Sequence, residues 1–159
     1  MPAAVVGQDK LFNTTGRVPE KDEVIPLGQA EVKRTGKDVT VVATSYMVCR
    51  SLQVAEGLQR EGIDVEVVDP RTLVPLDEEA ILMSVRKTGR LVVVDECHRR
   101  CGAAAEILAF VAERGLPLKA PLKRVVTEDV PIPFSIPLEN YIGPSEEKIA
   151  TAIRATAAA

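Results

Sequence analysis

The sequence predicts an α/β fold built on a parallel sheet, and three observations carry that prediction. Val39–Ala43 and Val65–Val68 are short, nearly continuous apolar runs rich in β-branched residues, as largely buried strands are. Between them, from Met47 to Leu58, Val48, Leu52, Ala55 and Leu58 recur every three or four positions, while Arg50, Gln53, Glu56 and Arg60 fall elsewhere; this is the stripe of an amphipathic helix. A helix of about four turns between two strands must cross the sheet, which excludes a hairpin and makes the unit a right-handed parallel βαβ crossover. Leu91–Val94 is a third fully apolar run and extends the same sheet.

The remaining elements follow in chain order. Ala3–Val6 reads as a short strand, and Asp9–Pro26 as a polar, turn-rich linker, so residues 1–26 are set apart from a domain over 27–159. Leu27–Lys33 reads as an edge strand ahead of the Thr35-Gly36-Lys37-Asp38 turn, a hairpin-like signal that implies antiparallel pairing. Gly57 weakens the first helix by about 1 kcal/mol relative to alanine, and Gly62 ends it. After the second strand, Pro70 and Pro75 bracket a loop. A helix over 78–88 then has agreeing signals at both ends. Asp77 caps it, Glu78 and Glu79 complement its positive end, Leu76 staples onto Ile81, Arg86 and Lys87 occupy the last turn, and Gly89 closes it. Beyond Leu91–Val94 come a loop over 95–102 and a helix over 103–114 with Ala104, Ile107, Leu108 and Val111 on its apolar face, closed by Gly115. Leu122–Val126 is a strand whose Lys123 and Arg124 place it at the rim. Val130–Phe134 is extended by its prolines, Ser145 caps a final helix with a stripe of Ile149, Ala152 and Ile153, and the alanine-rich tail from Ala155 frays.

Composition narrows the function. A chain of 159 residues, 46% hydrophobic, can bury roughly 70% of its unfolded surface in one core. The net charge of −3, with acids and bases interspersed, offers no basic stripe for nucleic acid, and two tyrosines and three phenylalanines offer little for base stacking. Three cysteines without framework spacing suit a reducing cytoplasm. No apolar run approaches the ~20 residues of a membrane helix, and the amino terminus lacks the pattern of a secretory signal.

Few residues offer chemistry. The first strand-to-helix turn, Ala43-Thr44-Ser45-Tyr46-Met47, has none of the glycines that a dinucleotide pyrophosphate needs, and no GxxxxGK[ST] occurs. A ligand in such a sheet would meet Thr44, Ser45, Asp69 and the 95–102 loop at the carboxyl ends of the strands. Cys97-His98-Arg99-Arg100-Cys101 is the one stretch that suggests a metal or redox site, but it lacks a second ligand pair at zinc spacing and His98 lacks a partner nucleophile, so a polar loop is favoured. Asp95 and Glu96 are neighbours in an extended chain and point to opposite faces, a poor acid/base pair.

Four stretches nevertheless resemble one family in order and spacing: Asp38–Ala43, Val65–Asp77 (VEVVDPRTLVPLD), Leu91–Glu96 and Val130–Ser135 (VPIPFS). They resemble the carboxy-terminal domain of the β subunit of thiamine-diphosphate-dependent 2-oxo acid dehydrogenases, with Asp95-Glu96, Arg100-Cys101 and Lys119-Ala120-Pro121 most like the pyruvate or acetoin branch. The resemblance implies a three-layer α/β/α sandwich whose five-stranded sheet is parallel except for one antiparallel edge. It implies that 1–26 is an interdomain segment left from a preceding aminopyrimidine-binding domain, with no catalytic, cofactor-binding or metal residue in this chain. Thiamine diphosphate and magnesium would then belong to the complete enzyme. The implied partners are a second β subunit, the α subunit and the subunit-binding domain of the lipoyl acyltransferase, with Glu96 and Lys119 as the partner-binding candidates. The residue before Ala-Pro is often acidic in pyruvate dehydrogenase members and meets a basic patch on the acyltransferase; Lys119 reverses that charge. Cys97-His98-Arg99 and Gln8-Asp9 depart from the family pattern. The reading from a different class is a stand-alone ligand-binding or redox domain using the 95–102 loop.

Overall fold

A computed structural model describes Leu11 and residues 24–159. The chain runs β1 (Glu31–Arg34), β2 (Val39–Ala43), α1 (Tyr46–Gln59), β3 (Val65–Asp69), α2 (Glu78–Thr88), β4 (Leu91–His98), α3 (Ala103–Glu113), β5 (Lys123–Thr127), α4 (Ile136–Ile142) and α5 (Glu146–Ala157). The five strands form one sheet in the order β1-β3-β2-β4-β5. β2 pairs in parallel with both β3 and β4, β5 pairs in parallel with β4, and β1 alone is antiparallel, against β3. The parallel sheet with one antiparallel edge is the arrangement that the resemblance implied.

Helices cover both faces, which is why β2, β3 and the first half of β4 read as nearly continuous apolar runs, broken only by Thr40 and Glu66. On one face Val39, Val41, Val65, Val67, Val92 and Val94 meet Val48, Ala55 and Leu58 of α1 and Ile149 and Ile153 of α5. On the other, Val42, Val68, Leu91 and Val93 meet Ile81, Leu82 and Val85 of α2 and Ala104, Ile107, Phe110 and Val111 of α3. Ile149 and Ile153 are fully buried, so each contributes roughly 1.5–3 kcal/mol. The local signals in α2 and α5 act as the sequence suggests. Asp77 accepts a hydrogen bond from the Ala80 amide at 3.1 Å, Gly89 ends α2 in a left-handed conformation, and the Ser145 hydroxyl accepts from the Lys148 amide at 3.2 Å.

Five expectations need correction. Leu27–Lys33 is not a strand throughout: β1 spans Glu31–Arg34, and its partner is β3, not the following β2. The 35–38 turn therefore passes beneath the start of β3, where the amides of Lys37 and Asp38 both donate to the Asp64 carbonyl, at 3.1 and 2.9 Å. Gly36 permits that crossing, for a Cβ there would lie 2.3 Å from the Val65 carbonyl carbon. β4 does not stop at Val94; it continues to His98 through a register shift against β5, where His98 pairs with Thr127. The rim strand is displaced by one residue, to Lys123–Thr127. α4 follows the proline segment with no buried residue, so the apolar periodicity that announces a helix is missing. Helix α5 runs through Ala157, and the Ala158 amide still bonds the Arg154 carbonyl, so the tail stays helical where fraying was expected. Ala3–Val6 and the linker up to residue 23, apart from Leu11, lie outside the described residues.

Candidate functional site at the carboxyl ends of the strands and on the flanking surfaces

From β2 the chain steps outward to β3 and then returns past β2 to β4, so the direction of winding reverses between β2 and β4. Open α/β sheets bind ligands at such a switch point. Here it brings together Thr44, Ser45 and Asp95. Asp95, 5% exposed, accepts a hydrogen bond from the Thr44 hydroxyl at 2.8 Å, and the same oxygen is 3.4 Å from the Cys97 amide. Its second oxygen, Oδ2, is buried without a hydrogen-bond partner. Ser45 turns the chain from β2 into α1 at φ 52°, ψ −127°, outside the regions that side chains favour, and its hydroxyl does not cap the helix.

The extension of β4 disperses the Cys-His stretch. The ring Nδ1 of His98 donates to the Glu128 carbonyl at 2.9 Å, and Arg100 pairs with Asp129 at 3.3 Å, so the turn is fastened to the segment after β5. Cys97 is exposed as a residue, but partial desolvation of its thiol pushes it above its ordinary value, and the nearby Asp95 carboxylate pushes it further. A thiol held protonated is a weak ligand and a weak nucleophile. Among the described residues no three His, Cys, Asp or Glu side chains gather as a metal-holding group. Asp95 and Glu96 alternate across the strand, one buried and one half-buried.

Lys119 lies at the other end of the sheet. Its amide donates to the Gly89 carbonyl at 2.8 Å and its ammonium to the Thr88 carbonyl at 3.0 Å, with the side-chain stem lying against Gly89. The lysine thus places positive charge on the carboxyl end of α2. Glu96 is five residues along β4 from Leu91, so at a rise of about 3.3 Å per residue the two partner-binding candidates are separated by most of the length of the sheet. No single small site contains both.

The sequence reading passed over Glu66. It is 2% exposed in the middle of β3, paired with Lys87, hydrogen-bonded by the Ser84 hydroxyl, and approached by the Gly36 amide at 3.3 Å. Ser84 continues this buried network to Thr40 at 2.8 Å, and Thr40 reaches Thr88 at 2.8 Å. A lone acid inside an apolar strand, with Ser and Lys three apart on the next helix, was the available signal. The network ties the crossing at Gly36 to α2 and serves the fold.

Apolar side chains remain on two surfaces. Around α4, Val130, Ile132, Phe134, Ile136, Leu138 and Tyr141 are exposed, Phe134 completely. Beside β1, Ile25, Leu27, Val32, Leu73 and Val74 are exposed, on segments joined by the bond from the Gly28 amide to the Thr72 hydroxyl at 3.0 Å. No described helix is long and apolar enough to cross a membrane.

Comparison with known proteins agrees with this geometry. The family model for the transketolase C-terminal domain matches residues 28–149. The chain is 46% identical over 144 residues to the β subunit of acetoin:2,6-dichlorophenolindophenol oxidoreductase from Bacillus subtilis, an alignment that covers 89% of this chain and 42% of that protein. It is 42% identical over 157 residues to the pyruvate dehydrogenase E1 component subunit beta of Staphylococcus epidermidis, covering 98% of this chain and 48% of that one. Among solved structures, an inactive β4 tetramer of a split-gene transketolase superposes with a TM-score of 0.76 at 30% identity, covering 90% of this chain and 46% of the other. The chain spans about half the length of the curated relatives it matches.

Proposed function

This chain belongs to the transketolase C-terminal domain family, and on that premise we propose that it is the non-catalytic assembly domain of the β subunit of a 2-oxo acid dehydrogenase of the pyruvate or acetoin type. Its work is to hold β to β, to meet the α subunit and to dock the lipoyl acyltransferase. Thiamine diphosphate and magnesium act in the complete enzyme, on groups outside this chain. One observation carries this reading: the apolar surface around α4, where Phe134 from the segment before the helix and Ile136 and Tyr141 from the helix itself are exposed, the helix burying no residue. Exposed apolar patches beyond a few hundred Å² mark interaction surfaces.

Two measurements test the proposal. Calorimetry of the chain with thiamine diphosphate and magnesium should show no binding in the micromolar range; micromolar binding, or decarboxylation of pyruvate by the chain alone, would overturn the non-catalytic assignment. Sedimentation should show self-association, weakened by Phe134→Ser and Ile136→Ser, which touch no core. A chain that stays monomeric from micromolar to millimolar concentration would refute the assembly role.

A further inference from the structure

β5 is the last strand of the sheet, with no strand on its outer edge among the described residues. Along that edge, between β5 and α5, lies an open groove of about 410 Å³. Four cations line it: Arg99 from the turn after β4, Lys123 and Arg124 from β5, and Lys148 from the first turn of α5. Only two carboxylates, Glu128 and Glu147, line it with them, so a chain of net charge −3 concentrates positive charge here. Lys148 is committed in part, since its ammonium donates to the carbonyls of Tyr141 and Gly143. Arg99, Lys123 and Arg124 form no ion pair among the described residues, so their charges are not neutralised by a neighbouring carboxylate. The two strand cations stand on opposite faces. Val125 belongs to the core under α1 and α5 and Val126 to the core under α2 and α3, so by alternation Lys123 faces α5 and Arg124 faces α3.

From the free edge, the groove and this alternation of charge we infer that β5 accepts an extended acidic segment of a partner protein as a sixth strand. Main-chain hydrogen bonds to the edge would give affinity, and acidic side chains at alternate positions of the added strand would all lie on one face, meeting Lys123 and Lys148 in one register or Arg124 in the register shifted by one residue. Cations on an edge strand also discourage pairing with another copy of itself. The same residues therefore repel a basic or like strand and attract an acidic one, which is selectivity by repulsion as well as attraction. A peptide fits better than nucleic acid, because no aromatic side chain lines the groove to stack on a base and only a peptide backbone complements a strand edge. This inference is independent of the assembly role proposed above, since the α4 surface and the β5 edge share no residue.

The test uses fluorescein-labelled peptides and the 159-residue chain. A peptide of four Glu-Val repeats should bind with a salt-dependent affinity, whereas the Lys-Val counterpart should not. Reversing the edge charge with Lys123→Glu and Arg124→Glu together should weaken binding by about tenfold or more. Arg99→Glu, on an exposed turn away from the core, should weaken it as well and serves if the double variant does not fold. N-methylating alternate amides of the Glu-Val peptide should abolish binding, a result that charge attraction alone would not produce. The inference fails if the Glu-Val peptide shows no saturable binding up to about 1 mM. It also fails if the N-methylated peptide or an oligothymidine of similar charge binds equally well, or if Arg99→Glu and the double variant leave affinity unchanged.

Discussion

Replacing Lys119 separates its role in the fold from its proposed role in docking. In the fold, its ammonium bonds the Thr88 carbonyl at 3.0 Å and lies at the carboxyl end of α2. A cation at such a position contributes about 0.3–1 kcal/mol when solvent-exposed, as Lys119 is. Lys119→Gln removes that attraction and keeps an N–H donor, so it should cost about 0.3–1 kcal/mol; Lys119→Glu turns attraction into repulsion and should cost roughly twice that. For a domain of this size, 1 kcal/mol lowers Tm by about 2–4 °C. Docking is measured separately, as affinity for the cognate acyltransferase's subunit-binding domain in a complete α and β assembly at two salt concentrations. If the partner presents an acid to Lys119, the reversal should cost about 2–5 kcal/mol of binding, well beyond its effect on stability. An affinity and salt dependence unchanged by Lys119→Glu would remove Lys119 from the docking surface and leave only the helix-end role; unchanged thermal stability would remove that role too.

Three further perturbations follow from named contacts. Gly36→Ala drives a methyl into the Val65 backbone at 2.3 Å and should lower urea stability by about 3 kcal/mol, near the top of the usual range for overpacking; a loss under about 1 kcal/mol would mean the crossing can shift. Asp77→Ala removes two bonds, from the Ala80 amide at 3.1 Å and the Ala30 amide at 2.9 Å, so about 2 kcal/mol should be lost, whereas a loss of about 0.5 would show that only the helix cap counts. Cys97, studied with Cys49→Ser and Cys101→Ser, should alkylate more slowly at mildly alkaline pH than the same chain in urea, and Asp95→Asn should recover part of the rate while burial retains the rest. Because folding raises this thiol's pKa, its stabilising contribution is complete below the unfolded thiol's pKa and is lost as pH rises through the folded one; equal alkylation rates in folded and unfolded chain would contradict the assigned environment.

Local chemistry was legible in the sequence wherever a signal and its partner lie within one turn of each other. Asp77 before Ala80, Gly89 after Thr88, and Ser145 before Lys148 mark helix ends that the structure reproduces, because each of those hydrogen bonds spans at most four residues. The mainly apolar runs at Val39, Val65 and Leu91 were equally legible, since burial on both faces leaves few polar positions, Thr40 and Glu66 among them. The five-stranded, three-layer arrangement came from the family resemblance, and the local patterns agreed with it. The candidate site was only partly legible: Thr44, Ser45 and Asp95 do gather at the switch point, but β4 carries Cys97 and His98 onward as strand because β5 offers pairing up to Thr127.

What only the tertiary structure decided are relations between residues far apart in sequence. The 35–38 turn has hairpin chemistry, yet β1 pairs with β3, because two amides of that turn find the Asp64 carbonyl some 26 residues away. Glu66 becomes tolerable in a buried strand only once Lys87 and Ser84 arrive on α2. Lys119 looks like a solvated loop lysine until α2 ends beneath it. α4 buries nothing against this chain, so no periodic pattern could have revealed it. Sequence patterns record which side chains must leave water, and near neighbours record which backbone groups need caps; the choice among distant partners depends on the closed fold, where a hydrogen bond or an ion pair exists only after the chain has returned to it.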